Sequence, residues 1–197
     1  RLLEEMTNLT DARRAEANRK LLDELIPDKM PLDLLHQVLR LLVGEQVSIR
    51  NLPLILEAVG ELRQITQQPE AICEHVRHRL GFQLIADLRR EDGTVPLIQL
   101  APEWEDIFAT YQMERDRGVV DVALPPDIFN RLVTAISTAL SEASEQGIHP
   151  ALITSTQRRR FLRMALTARG ITNPVLSFEE IGIDARPALI SVVPADE

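Results

Sequence analysis

One cysteine, one tryptophan, one tyrosine and only eight glycines are spread over 197 residues. A lone Cys73 cannot close an intrachain disulfide, which excludes a disulfide-stapled scaffold and suits a reducing compartment. Long apolar runs are missing too. The best candidate, residues 32–43, is interrupted by Asp33, His36, Gln37 and Arg40, so nothing reaches the length of a membrane span. Basic excess is also absent: the net charge is −8, with 13 basic against 16 acidic residues in 1–92 and 9 against 14 in 93–197. A nucleic-acid binder draws most of its affinity from neutralising phosphates, and neither half has that field. Glycine-rich phosphate loops, both the G-x-G-x-x-G and the G-x-x-x-x-G-K-[ST] kind, do not occur. The first residue is Arg and no signal peptide precedes the fold, so the chain is expected to be a piece of a longer protein.

What is present is an ordinary globular composition, 45% hydrophobic and 26% charged, enough for one large domain or two small ones. The cations are almost all arginine. Only Lys20 and Lys29 break the pattern, a bias that fits either protein contacts or a codon preference of the source genome.

Hydrophobic period divides the chain. In residues 1–92 apolar side chains recur at helical spacing, which predicts an all-helical, bundle-like unit. A first helix is expected from a Thr10 cap to Ile26, ended by Pro27. A second has Pro31 in its first turn and Gly44 as its closing C′ residue. A third starts between Ser48 and Pro53 and runs to about Arg63. A fourth begins at Pro69 and carries Ile72, Val76, Leu80, Leu84 and Leu88 along one face, with Gly81 inside it. After the Asp92-Gly93 turn the pattern alternates between strand and helix. Strands are expected at 95–100, 119–123, 151–155, 175–178 and 188–193, and helices at 102–111, 125–145 and 156–169. Residues 93–197 therefore read as a small α/β layered unit, with right-handed crossovers where strands are parallel.

Chemistry-bearing residues are few. His75 and His78 share a helix face, but Cys73 lies off it, so this segment cannot direct three ligands at one metal. Cys73 reads as a small buried hydrophobe. The 151–155 strand running into a helix N-terminus, followed by Arg158, Arg159 and Arg160, could hold an anion. The alternative is a helix with Phe161, Leu162, Ala165 and Leu166 buried and its arginines facing water or a neighbouring chain. Trp104 reads as half-buried packing, and the carboxylates are too scattered to nominate an acid–base pair. No enzyme, metal or cofactor is expected; the alternative is a stand-alone α/β domain with a helical cap that binds a small molecule among the C-terminal ends of its strands.

Function comes from a resemblance. The run Leu34–Leu42, then Glu45-Gln46-Val47-Ser48-Ile49-Arg50-Asn51-Leu52 and Ile55-Leu56-Glu57, resembles the export-gate family of type III secretion (FHIPEP). Val76–Leu80, Pro150–Ser155 with Arg159 and Arg163, and Val175–Ile181 are similar to later stretches of the same family; Gly44 and Pro53 depart from it. The resemblance implies the third cytoplasmic subdomain (residues 1–92, with 1–10 trailing from the first) and the fourth (93–197) of a protein whose missing N-terminal half makes the only membrane contact. It implies a non-enzymatic ring, nonameric in the family, at the cytoplasmic face of the bacterial inner membrane. That ring receives export chaperone–substrate complexes and meets export ATPase components. The Pro125-Pro126-Asp127 helix start and the 116–126 stretch look closer to flagellar than to injectisome members. Glu45, Arg50 and Glu57 are the candidate interface residues, with Arg50 pairing to Glu45 or Glu57 inside the bundle or across the ring.

Overall fold

Apolar residues at 3- and 4-residue spacing can bury a stripe only by packing helix against helix, and the first part of the chain does so. The computed structural model describes residues 12–25, 30–115 and 119–196. The chain divides into two compact units, Arg1–Leu84 and Ile85–Glu197. The expected start of the first helix at Thr10, its end at Ile26 and the Pro27 stop lie outside the described residues.

The first unit contains α1 (Ala12–Leu25), α2 (Leu32–Gly44), α3 (Leu52–Leu62), α4 (Pro69–Arg79) and the start of α5 (Gly81–Ala86). Its core is made of Leu35, Val38, Leu39 and Leu42 from α2, Ile55, Leu56 and Val59 from α3, and Ile72 and Val76 from α4. Each side chain of this kind contributes about 1.5–3 kcal/mol on leaving water. Pro53 and Pro69 sit in first turns, where a missing N–H costs nothing; Pro31 stands one residue earlier, as the N-cap of α2.

Two expectations fail here for local reasons. Gly44 is not the C′ residue of α2 but its last helical one. The left-handed position is Gln46, at φ 59°. Gln46 donates its N–H to Val43 O at 2.9 Å and Val47 donates to Leu42 O at 2.9 Å, which makes a full Schellman closure with Val47 buried against the core. The single helix expected from Pro69 to Leu88 breaks at Leu80 (φ −90°, ψ 6°). Leu80 N–H is shared between Val76 O and Arg77 O, and poor helix-forming Gly81 starts the short α5. The break keeps both Leu80 and Ile85 buried while Phe82 turns out to solvent.

In the second unit, β1 (Val95–Leu100), β4 (Ala151–Thr154), β5 (Val175–Ser177) and β6 (Pro187–Val193) form one parallel sheet in the order β5–β4–β1–β6. Three helices bury apolar faces with it: α6 (Glu103–Thr110), α7 (Pro126–Glu145) and α8 (Thr156–Thr167). They bring Trp104, Phe108, Leu132, Ile136, Leu162 and Leu166 into one cluster with Ile98, Leu152 and Val175. β2 (Gln112–Arg115) and β3 (Val119–Val122) pair as an antiparallel hairpin. β2 was not expected: Gln112, Met113 and Glu114 are all exposed, so it has no buried face for the sequence to reveal. Gly93 holds φ 82°, and a Cβ there would meet Arg186 Nη1 at 3.3 Å.

A glutamine in the left-handed region carries a Cβ penalty that glycine avoids. Gln46→Gly is therefore expected to stabilise the helical unit by about 1 kcal/mol. A calorimetric melt of the chain, which resolves this unit's transition, checks it.

Candidate functional site

The helical unit's charged groups form a seam across α3 and α4. Glu45, the half-buried C-cap of α2, lies 3.2 Å from Arg77 Nη1 of α4, and the Arg77 side chain is only 4% exposed. Glu57 Oε2 is 3.5 Å from Arg79 Nη2, Arg79 also bonds Glu61, and Glu61 Oε2 stands 2.7 Å from His75 Nε2. Arg50 is exposed in the connection before α3, its backbone N–H 3.4 Å from Ser48 Oγ. Of the three expected interface residues, Glu45 and Glu57 are thus engaged by arginines of α4. Arg77 and Arg79 went unnominated, although both lie in the Val76–Leu80 stretch that carried part of the resemblance.

The Glu61 carboxyl is held below its ordinary value, first by the hydrogen bond from His75 and then by that from Arg79. Asp92 is also held low, by the Thr94 hydroxyl at 2.6 Å and the Thr94 N–H at 2.9 Å, in the turn that enters β1.

In the α/β unit, Arg158, Arg159 and Arg163 of α8 are internal ties. Arg158 and Arg159 do not face water or a neighbour: both are buried, which corrects the reading of an arginine-lined exposed face. Arg158 chelates the Glu105 carboxylate of α6, with Nη2 to Oε1 at 2.6 Å and Nε to Oε1 at 2.9 Å. Arg159 and Glu180 both have zero side-chain exposure, with Nε 3.8 Å from Oε1, and Arg159 Nη1 donates to Val175 O of β5 at 3.3 Å. Glu180 Oε1 accepts from the Ser177 N–H and hydroxyl, both at 3.1 Å, capping the 3₁₀ turn Phe178–Glu180. Arg163 donates to the carbonyls of Ile171 and Asn173, and Asn173 Nδ2 bonds Pro150 O at 3.0 Å. At the N-terminus of α8, where an anion was considered, the Thr156 hydroxyl meets the Glu179 carboxylate at 2.6 Å.

These groups hold elements together. Cys73 is buried in the helical core and His75 is bound to Glu61. Among the described residues no three His, Cys, Asp or Glu side chains are grouped to hold a metal. Trp104 is fully buried rather than half-buried, its indole N–H donating to Pro194 O at 3.0 Å and Arg131 lying 5.7 Å from its ring. An open groove of about 500 Å³ runs along α7, lined by hydroxyls such as Thr134, Ser137 and Ser141 together with Glu142, Glu145 and Arg169. Being open, it cannot exclude water from a reaction.

The sequence matches the FHIPEP family over residues 2–186. The chain belongs to that family. It is 35% identical over 181 residues to the flagellar biosynthesis protein FlhA of Caulobacter vibrioides, covering 90% of this chain and 25% of FlhA. Its fold matches nonameric SctV-C of enteropathogenic E. coli (EPEC) with TM-score 0.75 at 18% identity, over 98% of this chain and 55% of that one. It matches CdsV in the CdsV–CdsO complex of Chlamydia pneumoniae with TM-score 0.75 at 23% identity, over 98% and 54%. The chain thus spans about a quarter of the curated relative and about half of each solved chain. Among the described residues no helix is long and apolar enough to cross a membrane.

The stretches that resemble FHIPEP proteins now have a physical account in this chain. Arg159, Arg163, Ser177 and Glu180 lock α8 to β5 and to the turn after it. Removing one member of a fully buried pair strands the other charge, so Glu180→Ala should destabilise the α/β unit by about 3–5 kcal/mol. The double change Arg159→Met with Glu180→Leu should recover most of that loss. Fluorescence of Trp104, the sole tryptophan, reports this unit's denaturant unfolding directly.

A second expectation concerns pH. Because Glu61 titrates lower in the folded chain than when unfolded, its contribution is complete above its ordinary value of 4.5 and fades as pH falls through the lowered one. Glu61→Gln should flatten the acid side of the helical unit's stability profile and leave its shape near neutrality unchanged, as melts at stepped pH would show.

Proposed function

We propose that the chain forms the third and fourth cytoplasmic subdomains of a type III protein export gate of the flagellar kind, acting as a non-catalytic segment of a ring that docks export complexes. The observation that carries this reading is FHIPEP membership together with 181 aligned residues of a flagellar FlhA. The geometry supports a mechanical role. Each unit is cross-braced by arginine–carboxylate ties between elements distant in sequence, Arg77–Glu45 in one and Arg158–Glu105 in the other. Such a brace lets a subunit pass load without changing shape, and no activated nucleophile is required of it.

A ring of identical subunits requires two different patches of each subunit to meet. The fold shared with nonameric SctV-C supports such a ring here, and the CdsV–CdsO complex supports partner contact from the same fold. Full-length, the protein would sit at the cytoplasmic face of the inner membrane, receiving chaperone–substrate complexes and export ATPase components. On the helical unit, Arg50 and Glu57 are exposed, whereas Glu45 is drawn in toward Arg77, so the ring contact is assigned to Arg50 and Glu57 with Glu45 behind them.

Arg50→Glu in the full-length protein should lower export while the circular dichroism melt of the 197-residue chain stays unchanged. A collapsed melt makes Arg50 a bundle residue; intact export removes it from the ring contact. Complementation of a flagellar export-gate deletion for swimming tests the flagellar assignment, and rescue only of an injectisome deletion would transfer the chain to that system.

A further inference from the structure

The sheet of the α/β unit has two unlike edges. At one end β5 is three residues long and wholly buried. At the other, β6 runs seven residues, and among the described residues no strand pairs with its outer side. Edge strands ordinarily carry a charge or a proline to discourage pairing. This one has Pro187 at its first position and no charged residue from there to Val193.

A bulge decides what the edge displays. The register passes from Leu97↔Leu189 to Ile98↔Ser191, so β6 holds one extra residue at this point. Before the bulge, Arg186 O accepts from Val95 N–H at 2.8 Å; after it, Val193 O accepts from Ala101 N–H at 2.9 Å. Counting inward from both bonds, Leu189 and Val192 are the residues whose N–H and C=O point away from β1. Their side chains are also the exposed ones, at 57% and 47%, because the extra residue changes the strand's parity and puts both on one face. Unpaired backbone groups and bare apolar side chains therefore coincide at the same two positions.

We propose that the open edge of β6 takes up one extended peptide segment of a partner protein as a fifth strand, apolar opposite Leu189 and Val192 and of net positive charge. An extended backbone is the chemistry that satisfies a row of donors and acceptors, which a helix or a small molecule cannot do. The charge preference follows from 14 acidic against 9 basic residues in 93–197, two of those basic side chains being Arg158 and Arg159, already buried. Asp196 follows the strand, while Asp184 and the exposed Arg186 offset each other before it. The same acidity opposes pairing with a second copy of this chain.

The test is amide exchange on the 197-residue chain, with a blocked octapeptide alternating valine and lysine as the probe at about 1 mM. At roughly ten times its Kd the peptide should slow exchange of the Leu189 and Val192 amides about tenfold. A version methylated on alternate amide nitrogens, one with glutamate for lysine, and the Leu189→Lys/Val192→Lys chain should each abolish the slowing. The proposal is overturned if both amides are already protected without peptide, if saturating peptide leaves them unchanged, or if the methylated or glutamate peptide protects equally. Protection that rises with protein concentration alone would assign the edge to a second copy and equally overturn it.

Discussion

Arg159 and Glu180 reach zero exposure from elements sixteen and more residues apart in their packing partners, and neither charge can leave water alone. Burying an unpaired guanidinium or carboxylate costs several kcal/mol, so α8, β5 and the 3₁₀ turn after it come together as one event. Everything on that side of the sheet inherits the constraint. Ser177 is fixed as the cap of the turn because its N–H and hydroxyl complete Glu180, and Arg163 fixes the approach to β5 by holding the carbonyls of Ile171 and Asn173. With α8 placed, Arg158 reaches back to Glu105 and sets α6, whose Trp104 and Phe108 fill the core.

The helical unit solves the same problem with half-exposed groups. Arg77 is nearly buried, and Glu45 meets it from the C-cap of α2. The other ties, Arg79 to Glu57 and Glu61, are wet enough that packing of α2, α3 and α4 carries most of the stability. This division suits a segment of a larger assembly. Each unit has an apolar core of its own.

Much of the fold was legible because each element obeys a short-range rule. Period-3.6 stripes located α2, α3 and α4, prolines marked the first turns of α3 and α4 and the N-cap of α2, and apolar runs located β1, β4, β5 and β6. The resemblance rested on stretches that include Arg159, Arg163 and Glu180, though nothing in the sequence said that these residues touch. The hairpin strand β2 was invisible because none of its described side chains is buried. The break at Leu80 was invisible because one apolar stripe describes a continuous helix and a bent pair equally well. Gln46 was missed because a Schellman closure is read by looking for glycine, and the glycine present, Gly44, lies two residues too early.

Composition by itself excluded a disulfide scaffold and a basic nucleic-acid surface, and hydrophobic period by itself determined a helical part followed by an α/β part. These are properties of a residue and its near neighbours, and no distant contact can change them. Only the tertiary structure decided which arginine meets which carboxylate, that Arg158 and Arg159 turn inward, and that a single extra residue in β6 brings Leu189 and Val192 onto one open edge. Those outcomes depend on where elements far apart in sequence are packed. A long, flexible charged side chain finds its partner by position in space, and a strand's exposed face is set by its register against a neighbour that the local sequence does not name.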